Sequence, residues 1–266
     1  MANQKPKSAK SKSAREAAAK ARAEAEAKEK RRQRTINIVA GVAVVVVFAL
    51  IVGGALWAAG QDDDSASVNP EAAAPVSALP ADDDYAFGIE VNQDADVPTI
   101  SVWEDFQCPA CASFEEAAGD NLEAVAAEGV ARLVIRPTTF LDRSLSTDHS
   151  ARATAAYGCA VDTGLGEEYR RAVFANQPPT EGDGWTAEQL LQFGTDVGIE
   201  GEAYDTFETC FVERDYLSWA ANTTEEFYGG GVPGTPAVYL DGEEMDRAVL
   251  LDPEALRETI AEASAS

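Results

Sequence analysis

The run IVAGVAVVVVFALIVGGALWAA, Ile38 to Ala59, holds 22 residues with no charge and nothing more polar than glycine. As a helix rising about 1.5 Å per residue it spans roughly 33 Å, enough to cross a bilayer core. A cleaved signal peptide carries an apolar region of only about 7 to 15 residues, so the run reads as a retained transmembrane anchor within residues 36–60. It also divides the charge. Residues 1–34 contain 12 Lys+Arg against 4 Glu, whereas residues 35–266 contain 9 Arg, no Lys and 42 Asp+Glu. These halves carry +8 and −33, which give the formal net charge of −25. The cluster KEKRRQR precedes the run and should stay in the cytoplasm by the positive-inside rule. The expectation is a single-pass protein of the cell membrane, N-terminus cytoplasmic, with everything after Gln61 extracytoplasmic. All four cysteines then lie where disulfides form and persist.

The head, residues 1–35, is rich in helix formers without a large apolar face, and reads as a topology signal resting on anionic lipid. Residues 61–84, rich in Asp, Ala, Ser and Pro, read as a solvated linker. Their acidic triplets lack the alternating ligands and turn glycine of a calcium loop. A folded domain is expected over 85–266. TISVW (99–103) and ARLVIRP (131–137) read as buried strands flanking a helix from Pro109 to about Ala127, a unit that implies parallel strands. A helical insertion follows over about 145–228. The chain then closes with the strand and turn PAVYLDGEEM, a short strand RAVLL and a helix from about Pro253 to Ala263. That order predicts a mixed α/β domain interrupted by helices.

The segment DFQCPACASF, 105–114, carries the chemistry. Cys111, Phe114, Ala118, Leu122 and Val125 recur at spacings of three or four, so Cys111 faces inward. Cys108 falls at the helix N-terminus, where free N–H groups and the dipole favour a thiolate, and is expected to be exposed. Pro109 suits the first turn because its missing N–H costs nothing there. One acidified sulfur and one shielded sulfur are what thiol–disulfide exchange requires. A zinc site would need further ligands, but Cys159 and Cys210 are far apart in sequence and the sole histidine is His149. A purely structural Cys108–Cys111 bridge would close too short a loop to restrain the unfolded chain much.

The combination of DFQCPAC with GVPGTPAVYLDG more than a hundred residues later resembles the DsbA-like branch of the thioredoxin-fold thiol-disulfide oxidoreductases, over roughly residues 86–264. The resemblance implies a thioredoxin-like fold with a helical insertion, and catalytic Cys108, Cys111 and Pro236. It makes Pro236 a cis-proline beside the active disulfide and Thr235 the residue whose backbone meets an extended substrate. Pro109 and Ala110, between the cysteines, are the other substrate-facing candidates. It implies no cofactor and no metal. The partners it implies are reduced exported polypeptides and a membrane reoxidant of the DsbB or VKOR type. Two departures stand out. Ala110 replaces the histidine of strongly oxidising members, and Val102 occupies the place of the buried carboxylate that many thioredoxin-fold enzymes carry. Glu104 shares the strand parity of Val102 and is a candidate proton acceptor, or else a solvent-exposed carboxylate at the strand end. If Glu104 and Asp105 lay near Cys108 as charges, they would raise its thiol pKa.

Some actinobacterial DsbA-like proteins pair one catalytic with one structural disulfide, which suggests a Cys159–Cys210 bridge in place of two buried thiols. Such a bridge would stabilise the fold by about 4 kcal/mol in the chain-entropy model. His149, after a cap at Ser146 or Thr147, reads as an exposed residue of a first helical turn. No nucleophile elbow or phosphate-binding glycine loop is present, and the acidic domain disfavours nucleic acid. The expected function is oxidation of exported proteins. A reductase or isomerase, and a non-catalytic peptide-binding module, are the alternatives.

Overall fold

The computed structural model describes residues 69–92 and 96–265. The anchor expected at 36–60 and the basic head lie outside them, and among the described residues no helix is long and apolar enough to cross a membrane.

A five-stranded sheet in the order β1-β3-β2-β4-β5 forms the centre. It contains β1 (Ile89–Glu90), β2 (Thr99–Glu104), β3 (Arg132–Pro137), β4 (Ala237–Leu240) and β5 (Glu243–Glu244). β2 and β3 run parallel from Thr99↔Arg132 to Glu104↔Pro137, and the other pairs are antiparallel. Every residue of β2 is buried, as a strand covered on both faces requires. Helix α1 (Pro109–Ala127) connects β2 to β3 and packs Cys111, Phe114, Ala118, Leu122 and Val125 into the same core as Ile100 and Val102. Trp103 points the other way, with Arg136 stacked 4.0 Å from its ring and Phe227 meeting it edge-on at 5.5 Å.

The insertion comprises α2 (Phe140–Leu145), α3 (His149–Val161), α4 (Gly166–Ala175), α5 (Ala187–Asp196), α6 (Glu202–Glu213) and α7 (Leu217–Gly229). α3 is its hub, buried along nearly its whole length and touching α4, α5, α6 and α7. After β5 come α8 (Arg247–Leu251) and α9 (Pro253–Ser264), both against α1.

Several expectations are corrected. RAVLL is the helix α8, not a strand, because Asp246 caps it by accepting from Ala248 N at 2.8 Å and Asp252 restarts the chain as α9. The insertion begins at Phe140, ahead of the expected 145. The residue capping α3 is Asp148, while Ser146 ends α2 in a left-handed conformation at φ 57°. Residues 69–84, read from composition as solvated linker, lie against the domain. Asn69 and Asn222 exchange hydrogen bonds of 2.9 and 2.8 Å, Val76 N donates to Asp162 Oδ1, Pro75 is buried, and Leu79 pairs with Phe87 and Gly88.

Candidate active site

β2 ends by delivering Glu104 and Asp105 beneath the start of α1. The chain turns over four residues, with Cys108 N donating to Asp105 O at 2.9 Å and Gln107 N to the Asp105 side chain at 2.9 Å. Cys108 is the N-cap of α1 in extended backbone, and Pro109 opens the helix. Both cysteines are free thiols. Cys108, expected to be exposed, is only 8% accessible, and Cys111 is 1% accessible. The rim above them is Pro109 and Ala110, both exposed. On the other side the Thr235–Pro236 peptide is cis, and Cys108 Sγ lies 3.5 Å from Thr235 O.

The two sulfurs differ in acidity. Cys108 is lowered to about 6, first by the hydrogen bond that the Cys111 thiol donates, with burial opposing and Thr235 and the N–H groups of Cys111 and Ala110 assisting. Cys111 is raised well above the ordinary thiol value, first by burial and then by its donation to Cys108. Ala110 lacks the charge of a histidine, yet backbone donors supply part of what that side chain would give.

Glu104 is buried, not solvent-exposed. Arg170 Nη1 lies 3.0 Å from Glu104 and 2.8 Å from Glu115, and its Nε donates to Glu167 at 2.8 Å. Tyr157 adds a hydrogen bond to Glu167. One guanidinium that is 3% accessible thus faces three carboxylates. Burial pushes Glu104 up to about 8 against the pull of Arg170, and its Oε1 has no hydrogen-bond partner. Asp105 is pushed up to about 7 by burial, against donors at Ser150 Oγ (2.6 Å), Gln107 N and Leu141 N. The condition under which two nearby charges would raise the Cys108 pKa is not met: burial favours the neutral form of both carboxyls, and Cys108 is lowered.

Cys108, Cys111, Thr235 and Pro236 converge at this end of the sheet. Cys159 and Cys210 lie apart from them, joined as a disulfide between α3 and α6 with Cα atoms 5.8 Å apart. His149 is half-buried beside Asp148 at 3.7 Å, with no hydrogen bond to Nδ1, and is not the exposed residue expected. Among the described residues no cluster of His, Cys, Asp or Glu could hold a metal ion. Residues that the sequence reading did not single out also build the site. Gln107, Asp142, Ser150, Arg170 and Gln177 reach it from 35 to 71 residues away or from inside the DFQC turn, without a local motif to mark them.

The fold resembles several solved structures. MdbA of Corynebacterium diphtheriae, a thiol-disulfide oxidoreductase, aligns at TM-score 0.54 and 22% identity, over 75% of this chain and 100% of that one. MdbA of Actinomyces oris aligns at 0.53 and 20% identity, over 64% and 82%. Reduced DsbA of Mycobacterium tuberculosis aligns at 0.51 and 20%, over 66% and 98%. No curated protein sequence matches the chain. Residues 92–262 match the thioredoxin family model, and the chain belongs to the thioredoxin family.

Proposed function

We propose that this protein is a membrane-anchored, extracytoplasmic thiol-disulfide oxidoreductase that introduces disulfides into exported proteins through Cys108 and Cys111. The observation that carries the reading is the placing of two free thiols within one helical turn, Cys108 at the N-cap of α1 and Cys111 inside it, beside Thr235 and Pro236, which lowers the pKa of the first thiol and raises that of the second. In the oxidised protein a substrate thiolate attacks Cys108 Sγ. The Cys108–Cys111 bond breaks, Cys111 departs with the electron pair and takes a proton, and the substrate is held on Cys108 as a mixed disulfide. A second substrate thiolate then attacks the substrate sulfur of that bond. Cys108 leaves as a thiolate, which its low pKa favours. Two electrons pass from the substrate dithiol to the protein, and the substrate gains one disulfide.

Around this exchange, the Thr235 backbone would pair with extended substrate while Pro109 and Ala110 form the exposed contact. Glu104 would hold or release the proton exchanged at Cys111. Reoxidation would fall to a membrane partner of the DsbB or VKOR type. The same exchange run backwards is a reductase, and cycled on one substrate without net electron transfer it is an isomerase; Ala110, which gives only its N–H, keeps both readings open.

The deciding experiment is the reduction potential of the pair in the full chain, read by alkylation of each cysteine in defined thiol buffers. A value of roughly −120 to −180 mV supports the oxidase, and one near −270 mV a reductase. A Cys111→Ser variant should trap mixed disulfides on Cys108. A protein that traps none and never cycles is a binding module, and the catalytic reading is lost.

A further inference from the structure

The DFQC turn is held from two sides by glutamines, and neither is part of the exchange chemistry. Gln107 is buried, and its Nε2 faces Asp142 Oδ1 (2.8 Å), Ser150 Oγ (2.8 Å) and Thr147 Oγ1 (3.2 Å) at the α2–α3 corner. Gln177 approaches from the opposite direction, out of the loop after α4. Its Nε2 lies 2.7 Å from Phe106 O and 3.0 Å from Cys108 O, the carbonyls on either side of Gln107. Carbonyls only accept, so the amide nitrogen must face them, and its two hydrogens match the two acceptors.

The loop that carries Gln177 is itself anchored. Gln177 N bonds Phe174 O at 3.2 Å in the last turn of α4, and the buried Trp185 donates its indole N–H to Asn176 O at 2.9 Å. Phe174 packs on Phe106 with ring centroids 5.0 Å apart. Pro178 follows, and the residue before a proline is steered out of helical backbone, so α4 stops where Gln177 can turn toward the active-site loop.

We propose that Gln177 is a positioning residue for the reacting thiol: one amide nitrogen bridges the Phe106 and Cys108 carbonyls and fixes the peptide groups that present Cys108 Sγ to the start of α1. The Cys108 carbonyl also accepts from Cys111 N and Ala112 N, at 3.0 and 3.3 Å. Holding it sets the orientation of the first helical turn, and with it the aim of the Ala110 and Cys111 N–H groups at sulfur. The helical insertion thereby acts on the chemistry of the thioredoxin core without touching substrate. The inference rests on the reading above that Cys108 is the reacting sulfur.

The test is the pH dependence of Cys108 alkylation by iodoacetamide in the reduced full-length chain, followed by mass spectrometry of the Cys108 peptide. Two variants separate donor from reach: Gln177→Met keeps the length without N–H groups, and Gln177→Asn keeps the N–H groups one methylene short. Both are expected to move the alkylation midpoint upward, cutting the thiolate fraction at pH 6 roughly three- to tenfold. Far-ultraviolet circular dichroism and the Cys159–Cys210 bridge should be unchanged. A residue that merely closes the loop would lower the melting temperature and leave the midpoint alone, so wild-type midpoints in both variants overturn the proposal. Alkylation needs no substrate. A wild-type pair that fails to cycle in thiol buffers therefore sinks the oxidoreductase reading separately from this one.

Discussion

Burial alone would make Cys108 harder to ionise, and donors at the helix start reverse that outcome. A thiol whose folded-state pKa is depressed contributes stability that is complete above its unfolded pKa and is lost as pH falls through about 6. At pH 7 this favours the folded reduced form and so adds to the oxidising strength of the pair. Alkylation of Cys108 should accordingly be half-maximal near pH 6, while Cys111 stays unreactive beyond pH 9. A Cys108 midpoint above 8 would show that the donors do not act. Glu104 works in the opposite sense. Its folded-state pKa lies above the unfolded value, so its contribution is present below about 4.5 and is lost as pH rises through about 8. Urea unfolding of Glu104→Gln against wild type from pH 5 to 8 should give a variant whose stability declines less. The difference should grow by at most about 1.4 kcal/mol per pH unit. Parallel curves would mean that Glu104 holds no proton there. Cys108 and Cys111 could be picked out from the sequence because spacing and local chemistry mark them, and Pro236 through the family resemblance that GVPGTPAVYLDG carries. Arg170 and Gln177 could not: each reaches the site from 66 or more residues away, and nothing beside them shows which carboxylates or carbonyls they will meet.

Elements with a strong pattern were readable and those defined by partners were not. A proline that opens α1 and apolar residues that recur along one face mark it in the sequence as a helix from Pro109 to about Ala127. RAVLL is short and apolar without a period long enough to separate strand from helix, and the cap at Asp246 decides it. Composition also misplaced residues 69–84, since Asp, Ala, Ser and Pro describe a linker equally well whether solvated or packed. Besides its hydrogen bonds, a hollow at Gly158, toward the C-terminal end of α3, holds that segment. A Cβ there would come within 2.8 Å of Pro75, 2.9 Å of Tyr216 and 3.1 Å of Trp219. Gly158→Ala should therefore destabilise by roughly 1 to 3 kcal/mol despite the better helix propensity of alanine, because overpacking outweighs it. Chemical denaturation measures this directly, and a stabilised variant would show that the strap does not sit in the hollow. The neighbouring Cys159–Cys210 bridge closes a separation of 51 residues between α3 and α6. Replacing both by alanine should cost about 4 kcal/mol in the chain-entropy model, with Cys108 alkylation kept near its wild-type midpoint.

At the scale of the whole molecule, the strap bears on where the folded domain begins. Asn69 onward is fastened to α3 and α7, so residues 69–84 belong with the domain. The same strap also decides what counts as the folding unit. A chain beginning at Tyr85 matches the boundary suggested by composition, but it loses Asn69 from the buried Asn222, Val76 from Asp162 and Pro75 from its hollow. Opening an apolar hollow and stripping two hydrogen bonds from a buried amide should together remove roughly 2 to 4 kcal/mol. Comparing urea midpoints of chains beginning at Ser65 and at Tyr85 reads that difference, with the reduction potential of Cys108–Cys111 as a second measurement. The potential should be the same in both, because the strap's hydrogen bonds run to α3, α7 and the Phe87–Glu90 stretch, and among the described residues none reaches the DFQC turn. Equal urea midpoints would show that residues 69–84 add nothing to the fold.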